Sequence, residues 1–282
     1  MGCVVLNIKQ NKMDYIIAIP TYKRYETLKE KTLRLLNQEN FDKKRIYIFF
    51  ANDDEKNKYN LSNEYPNQII GVLGLTYQRN FIVNYFSEGQ KILWLDDDLT
   101  EINTVEIDPN RADKRHNLRF KKSTIQQMAN IGFKQLEQHK CSLFGVYPVN
   151  NAGFMKVDYI STDLKYIIGC CYGTINNHKL FRFQVFEHNG GAKEDYLRTL
   201  MVYDVERKVI RLNNFTTLTN YYNEAGGLQS IDEFGTRSKR DKISMEYICN
   251  KYKYYAKPNV KNNKYEIKLY DQIKIKNQIT LF

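Results

Sequence analysis

An α/β fold, with a mostly parallel sheet flanked by helices, is the prediction for this chain, and three observations carry it. Short apolar runs, too brief for helices, alternate with helix-period stretches over the first hundred residues, as βα units require. Three of these turnovers carry polar or acidic residues, Thr21 to Arg24, Asp53-Asp54 and Asp96-Asp97-Asp98, where ligands sit in doubly wound sheets. The 282 residues, 42% hydrophobic and 27% charged, suit one large soluble domain or two modest ones without a disulfide or metal staple.

The first strand is Tyr15 to Pro20, stopped by proline, and a helix follows through Thr27, Leu28, Leu33, Leu35 and Leu36 up to Asn37. Arg45 to Phe50 reads as a second strand that ends in a polar, acidic loop, Ala51 to Asp54. Ile69 to Val72 gives a third, and Gly74 and Thr76 open a helix through Tyr77 to Phe86. The next strand, Lys91 to Leu95, runs directly into three adjacent carboxylates. Such a cluster is kept where a hard divalent cation or a cationic substrate offsets its repulsion, or where it is a solvated acidic turn. Asp108 to Lys122 is polar and basic and reads as a loop or lid. A capped helix over Ser123 to Gln138 and strands over Leu143 to Val149, Tyr166 to Thr174 and Val209 to Leu212 complete the reading. Between the last two strands, Gly190-Gly191 precedes Glu194-Asp195 at a helix start, where the dipole favours negative charge. A Gly226-Gly227 turn follows later.

No Gly-x-Gly-x-x-Gly and no Walker-type lysine loop is present, so neither a dinucleotide site nor a phosphate-cradling loop is indicated. Five cysteines without metal spacing argue for reduced thiols. No apolar run approaches a membrane span, the N-terminus lacks a signal-peptide pattern, and Leu6 stands where myristoylation wants Ser or Thr. A cytoplasmic or nuclear protein, not secreted, is expected. Of the net charge of +11, residues 236–282 carry +8, from 12 Lys/Arg against 4 Asp/Glu, together with six tyrosines. Basic residues interleaved with aromatics suit nucleic acid; the coding bias of an AT-rich genome is the other reading.

In order and spacing these signals resemble the nucleotide-sugar glycosyltransferases of the GT-A (Rossmann-like) fold. Pro20-Thr21-Tyr22-Lys23-Arg24 is similar to the family's first-strand loop. Gly74-Leu75-Thr76-Tyr77-Gln78-Arg79-Asn80 is similar to its Gly-x-x-x-Ala-Arg-Asn helix, with Gln78 for alanine; Asp96-Asp97-Asp98 matches Asp-x-Asp; and Gly191-Ala192-Lys193-Glu194-Asp195 matches the loop bearing the base. The resemblance covers residues 14 to 215. A narrower similarity is to the TET/JBP-associated glycosyltransferases that modify hydroxymethylated DNA bases, some of them viral, which would put the protein in a host-cell cytosol.

The resemblance implies a catalytic domain over 14–235, with a nucleotide-sugar half at about 14–100 and an acceptor half at about 101–235, and a basic extension over 236–282. It implies a Mn²⁺ or Mg²⁺ ion held by Asp98 with Asp96, and a donor, a UDP-sugar being favoured, bound by Pro20, Thr21, Tyr22, Arg24, Asp53, Arg79, Asp96 and Asp97. Asp195 or Glu194 would be the base of an inverting transfer. Arg115, Arg119, Gly191 and Lys193 would meet the acceptor, DNA with hydroxymethylated bases. None of His116, His139, His178 and His188 follows Asp195, so phosphate and water would complete the metal shell. A glycan or protein acceptor, a metal-dependent nuclease or nucleotidyltransferase, and a non-catalytic nucleic-acid-binding module are the competing readings.

Overall fold

Tyr15 to Pro20 is apolar on both sides of an extended chain, so it belongs in the middle of a covered sheet. In the computed structural model, which describes residues 14–61, 63–111, 117–183, 192–219 and 236–272, this run forms β1 (Ile16–Pro20). The expected helix follows as α1 (Tyr25–Leu28) and α2 (Arg34–Gln38), joined without a break by a π-helical turn at Lys29–Leu33. After β2 (Ile46–Phe50) the acidic residues do not form a loop. They open α3 (Asp53–Tyr59), because the Asn52 side chain accepts from the Glu55 N–H at 2.9 Å and three carboxylates in the first turn suit the helix dipole. β3 (Asn67–Ile70), α4 (Leu75–Tyr85) and β4 (Lys91–Leu95) complete the βα series.

The stretch expected to be a loop or lid is in part a strand. β5 (Glu101–Ile107) pairs with β6 (Leu118–Lys122) in an antiparallel ladder that sets Val105 opposite Phe120, and Arg119 and Lys121 both pair with Glu106 across it. Cross-strand ion pairs of this kind let a polar sequence join a sheet edge. Then come α5 (Ile125–His139), capped by Thr124, β7 (Leu143–Tyr147), β8 (Ile160–Ser161), β9 (Cys171–Ile175), α6 (Glu194–Glu206) and β10 (Ile210–Leu218). The strand expected over Tyr166 to Thr174 begins only at Cys171. Before it, the Ile167 N–H donates to the Thr199 hydroxyl on α6 instead of to a neighbouring strand. The Gly226-Gly227 turn lies outside the described residues.

Among the described residues the sheet has ten strands in the order β3-β2-β1-β4-β9-β7-β10-β5-β6, with β8 on β10. Seven strands point one way; β5, β8 and β9 run against them. Alternation along β1 and β2 divides the core. Ile17, Ile19, Ile46, Ile48 and Phe50 pack with Leu28, Leu36, Met128 and Phe133 of the α1–α2 and α5 side. Ala18 and Phe49 pack with Ile82, Leu197, Leu200 and Ile248 on the other side.

The C-terminal segment is built into that second side. α7 (Arg237–Lys251) and the hairpin of β11 (Ala256–Lys261) and β12 (Lys264–Leu269) bury Met245, Ile248, Tyr252, Tyr255 and Ile267 in the same cluster as Trp94 and Tyr172. Cys141, Cys170, Cys171 and Cys249 are buried, and among the described residues no disulfide links them. Among the described residues no helix is long and apolar enough to cross a membrane.

Candidate active site

β1 and β4 are parallel neighbours, so their carboxyl ends open side by side. A cavity of about 660 Å³ lies there, within the size range of small-molecule sites. Pro20, Thr21, Tyr22 and Arg24 line it from β1, Arg79 from α4, and Asp96, Asp97 and Asp98 from β4. Lys193, Glu194 and Asp195 enter from the start of α6. Two residues named from the sequence stand elsewhere. Asp53 is exposed in the first turn of α3, turned away by the Asn52 cap, and Arg119 is spent on Glu106 at the sheet edge. Arg115 and Gly191 lie outside the described residues.

The three carboxylates have different partners. Asp97 is buried; its Oδ2 accepts from the Thr21 hydroxyl at 2.7 Å and its Oδ1 from Arg24 Nη1 at 2.8 Å. It therefore ties the β1 loop to the end of β4. Asp98 accepts from the same Arg24 Nη1 at 3.3 Å. Asp96, its side chain 36% exposed to the cavity, accepts from Arg79 Nη2 at 3.2 Å. Burial pushes Asp96 up to about 7; Arg79 opposes this, and the charges of Asp98, Asp97 and Glu194 add to it. Asp98 is raised by burial and by Asp97, against Arg24.

Among the described residues no group of three or more His, Cys, Asp or Glu is gathered as a metal site. Asp96 and Asp98 offer two hard carboxylate oxygen donors whose charged forms are disfavoured as they stand. That set fits an ion that keeps water and shares phosphate oxygens, such as Mg²⁺ or Mn²⁺, rather than one caged by protein.

Behind the carboxylates is a cationic stack. Trp94 and Tyr172 lie parallel, with centroids 5.5 Å apart, and Arg198 sits 3.5 Å from the Tyr172 centroid while Arg79 lies within 5.5 Å of both rings. Glu194 bridges the two arginines, at 2.7 Å from Arg198 Nη1 and 3.8 Å from Arg79 Nη2. Among the described residues, Arg79 Nε and Nη1 are buried without a hydrogen-bond partner, donors that an oxygen-rich ligand would satisfy. Arg198 and Tyr172 escaped the sequence reading, although the i,i+4 spacing of Glu194 and Arg198 is a visible helical pair.

This bridging separates Glu194 from Asp195. Glu194 is buried and ion-paired to both arginines. Asp195 lines the cavity, takes the Tyr166 hydroxyl on Oδ2 and the Tyr196 N–H on Oδ1 at 2.9 Å, and is raised by burial and by the Glu194 charge. Gly169 allows the approach, since a Cβ there would lie 3.1 Å from Glu194 Oε1 and 3.6 Å from the Asp195 Cβ. Lys193, in the left-handed region at φ 55°, sends its ammonium to Glu266 at 3.2 Å and Asp241 at 4.0 Å. The C-terminal segment thus borders the site, and its Arg237 and Arg240 also line the cavity.

No family model and no curated protein matches this chain. Among solved structures it is similar to one titled "Crystal structure of S. aureus TarS 1-349", at 14% identity and a TM-score of 0.44, over 86% of this chain and 72% of that one. The chemistry is therefore read from the side chains.

Proposed function

We propose that this protein is a metal-dependent glycosyltransferase that moves a sugar from a nucleotide-diphosphate sugar, a UDP-sugar being favoured, to a hydroxyl of a hydroxymethylated base in DNA. The observation that carries the reading is the shared cavity. It gathers the Thr21–Arg24 loop, buried Arg79, the β4 carboxylates and Asp195 around one space large enough for a nucleotide sugar.

Asp96 and Asp98 would hold the divalent cation, which when bound offsets the negative charge that develops on the departing diphosphate. Arg79, rigid between Trp94, Tyr172 and Glu194, donates its unpartnered Nε and Nη1 to sugar or phosphate oxygens. Asp195 accepts the acceptor hydroxyl's proton as that oxygen forms its bond to the anomeric carbon and the bond to the diphosphate breaks, a role worth about 10²–10⁴ in rate. Tyr166 fixes the Asp195 carboxylate, and Glu194, committed to two arginines, takes no part in proton transfer. One carboxylate acting on the acceptor side gives inversion. The DNA acceptor draws its support from the +8 C-terminal segment, two of whose arginines line the cavity.

The test is incubation of nucleotide sugars and Mn²⁺ with hydroxymethylated DNA and, in parallel, with simple glycans, the acceptor mass being read out. A hexose-sized gain on DNA that Asp195→Asn reduces by about 10² or more is expected. Transfer to glycans alone moves the acceptor away from DNA, and cleavage or extension of DNA without a sugar donor makes the protein a nuclease or nucleotidyltransferase.

A further inference from the structure

The β11–β12 hairpin turns on Asn262 and Asn263, both in the left-handed region at φ 50° and 58°. Positive φ at both central residues makes a two-residue turn of type I′, which fixes the register of the strands it joins. That register sets Lys257 opposite Lys268, Asn259 opposite Glu266 and Lys261 opposite Lys264. Opposed side chains share a face, so four lysines stand on one side of the hairpin. The other side, with Ala256 and Ile267, is buried in the cluster that holds Met245 and Ile248 of α7. Like charges directly opposite each other destabilise a hairpin, and here two such pairs stand about 13 Å apart along the strands.

All four lysines are exposed, and among the described residues none of their ammonium groups is ion-paired. The carboxylates of the C-terminal segment go elsewhere: Asp241 to Lys193 and Arg237, Glu246 to Lys242, Glu266 to Lys193 and Asp271 to Arg207. Lys257 lies over the Tyr270 ring, 5.4 Å from its centroid. Glu266, between the two lysine pairs on the same face, reaches Lys193 at 3.2 Å and lines the active-site cavity, so the lysine face adjoins that cavity. The chemistry of the face selects its occupant. Lysine is a point charge that suits phosphate, whereas the carboxylates of an acidic protein are matched better by the arginine fork. The face carries no apolar side chain to insert at a lipid surface; Val260, 52% exposed, belongs to the other side. An occupant that meets both pairs must carry several negative charges in a row. We propose that the lysine face of this hairpin binds the phosphate backbone of an acceptor DNA, without regard to sequence, beside the cavity where one nucleotide meets Asp195. The proposal rests on the DNA-acceptor reading above and adds the place where the strand is held.

Fluorescence anisotropy with a labelled DNA duplex over a series of salt concentrations tests it, using the full chain and the variant Lys257→Gln/Lys261→Gln/Lys264→Gln/Lys268→Gln. The four side chains are exposed and do not line the cavity. With two repulsive pairs gone, the melting temperature of the variant should equal or exceed that of wild type. The expected result is a DNA affinity lowered about 10-fold or more, and a plot of log affinity against log salt whose slope is shallower by about 2–4. Changing only the pair beside the turn, Lys261→Gln/Lys264→Gln, should give about half of that change in slope. Affinity and slope unchanged in both variants, no binding of DNA by wild type, or lysine-dependent binding to phosphatidylserine vesicles in its place would each overturn the proposal. Sugar transfer to DNA with the slope unchanged would overturn this surface and leave the acceptor reading standing. A shallower slope, with no sugar transferred to DNA by wild type, would uphold the surface and remove that reading.

Discussion

Asp96 is held between two influences of opposite sign, and its titration exposes them. Burial raises it to about 7, whereas in the unfolded chain it returns to the ordinary carboxylate range. A folded pKa above the unfolded one means that the native state binds more protons, so Asp96 contributes stability below its unfolded value and loses it as pH rises through about 7. The metal-free protein is expected to lose melting temperature from about pH 4 to about pH 7 and to level off above that, and Asp96→Asn should show a shallower decline. Parallel curves for the two proteins would contradict the environment described for this carboxylate. The placement of Asp96, Asp98 and Asp195 at element ends is legible in the sequence, because charges at strand ends and helix starts are local signals. The Glu194–Arg198–Tyr172–Arg79 stack is not. It depends on antiparallel pairing of β4 with β9, which sets Trp94 beside Tyr172, and on α6 lying across that face. Gln78, a departure from the family pattern, also acquires a purpose. Its amide accepts from the Val72 N–H at 2.8 Å and donates to the Phe50 carbonyl at 3.2 Å, closing α4 onto the ends of β2 and β3.

Among the elements, α7 and the β11–β12 hairpin differ most from their sequence impression. Charge dominates α7, and its apolar residues are few, so the segment reads as a solvated or nucleic-acid-facing extension. Yet Met245, Ile248, Tyr252, Tyr255 and Ile267 are buried against the sheet face that carries Trp94. Each such side chain stabilises by about 1.5–3 kcal/mol, and a domain has only about 5–15 kcal/mol in total. Truncation after residue 235 should therefore yield a chain that unfolds at a much lower temperature or aggregates, and it leaves Lys193 at the start of α6 without Asp241 and Glu266. A truncated protein with the native melting temperature and weakened DNA binding alone would return the segment to a simple appendage. The βα elements from β1 to β4 were legible because period and length both spoke for them. β5 and β6 were not, since their stability comes from pairing with each other and with β10 rather than from apolar pattern.

Across the molecule, seven strands of one direction bring β1 and β4 to a common edge, and the reversed β9 and the start of α6 close the opposite wall. The residues proposed for cation, donor and base thus come from segments as far apart as Thr21 and Asp195, and the cavity needs β1, β4 and α6 in place together. The most direct test of the central claim is a thermal-shift titration with nucleotide-diphosphate sugars, with and without Mn²⁺. Ligand that binds only the native state raises the melting temperature by mass action, by the equivalent of about 2.7 kcal/mol at a hundredfold excess over Kd. The account predicts stabilisation by a nucleotide sugar that depends on the cation, persists in Asp195→Asn and is lost in Asp98→Asn. A melting temperature unmoved by every nucleotide sugar, or raised equally in Asp98→Asn, would contradict it.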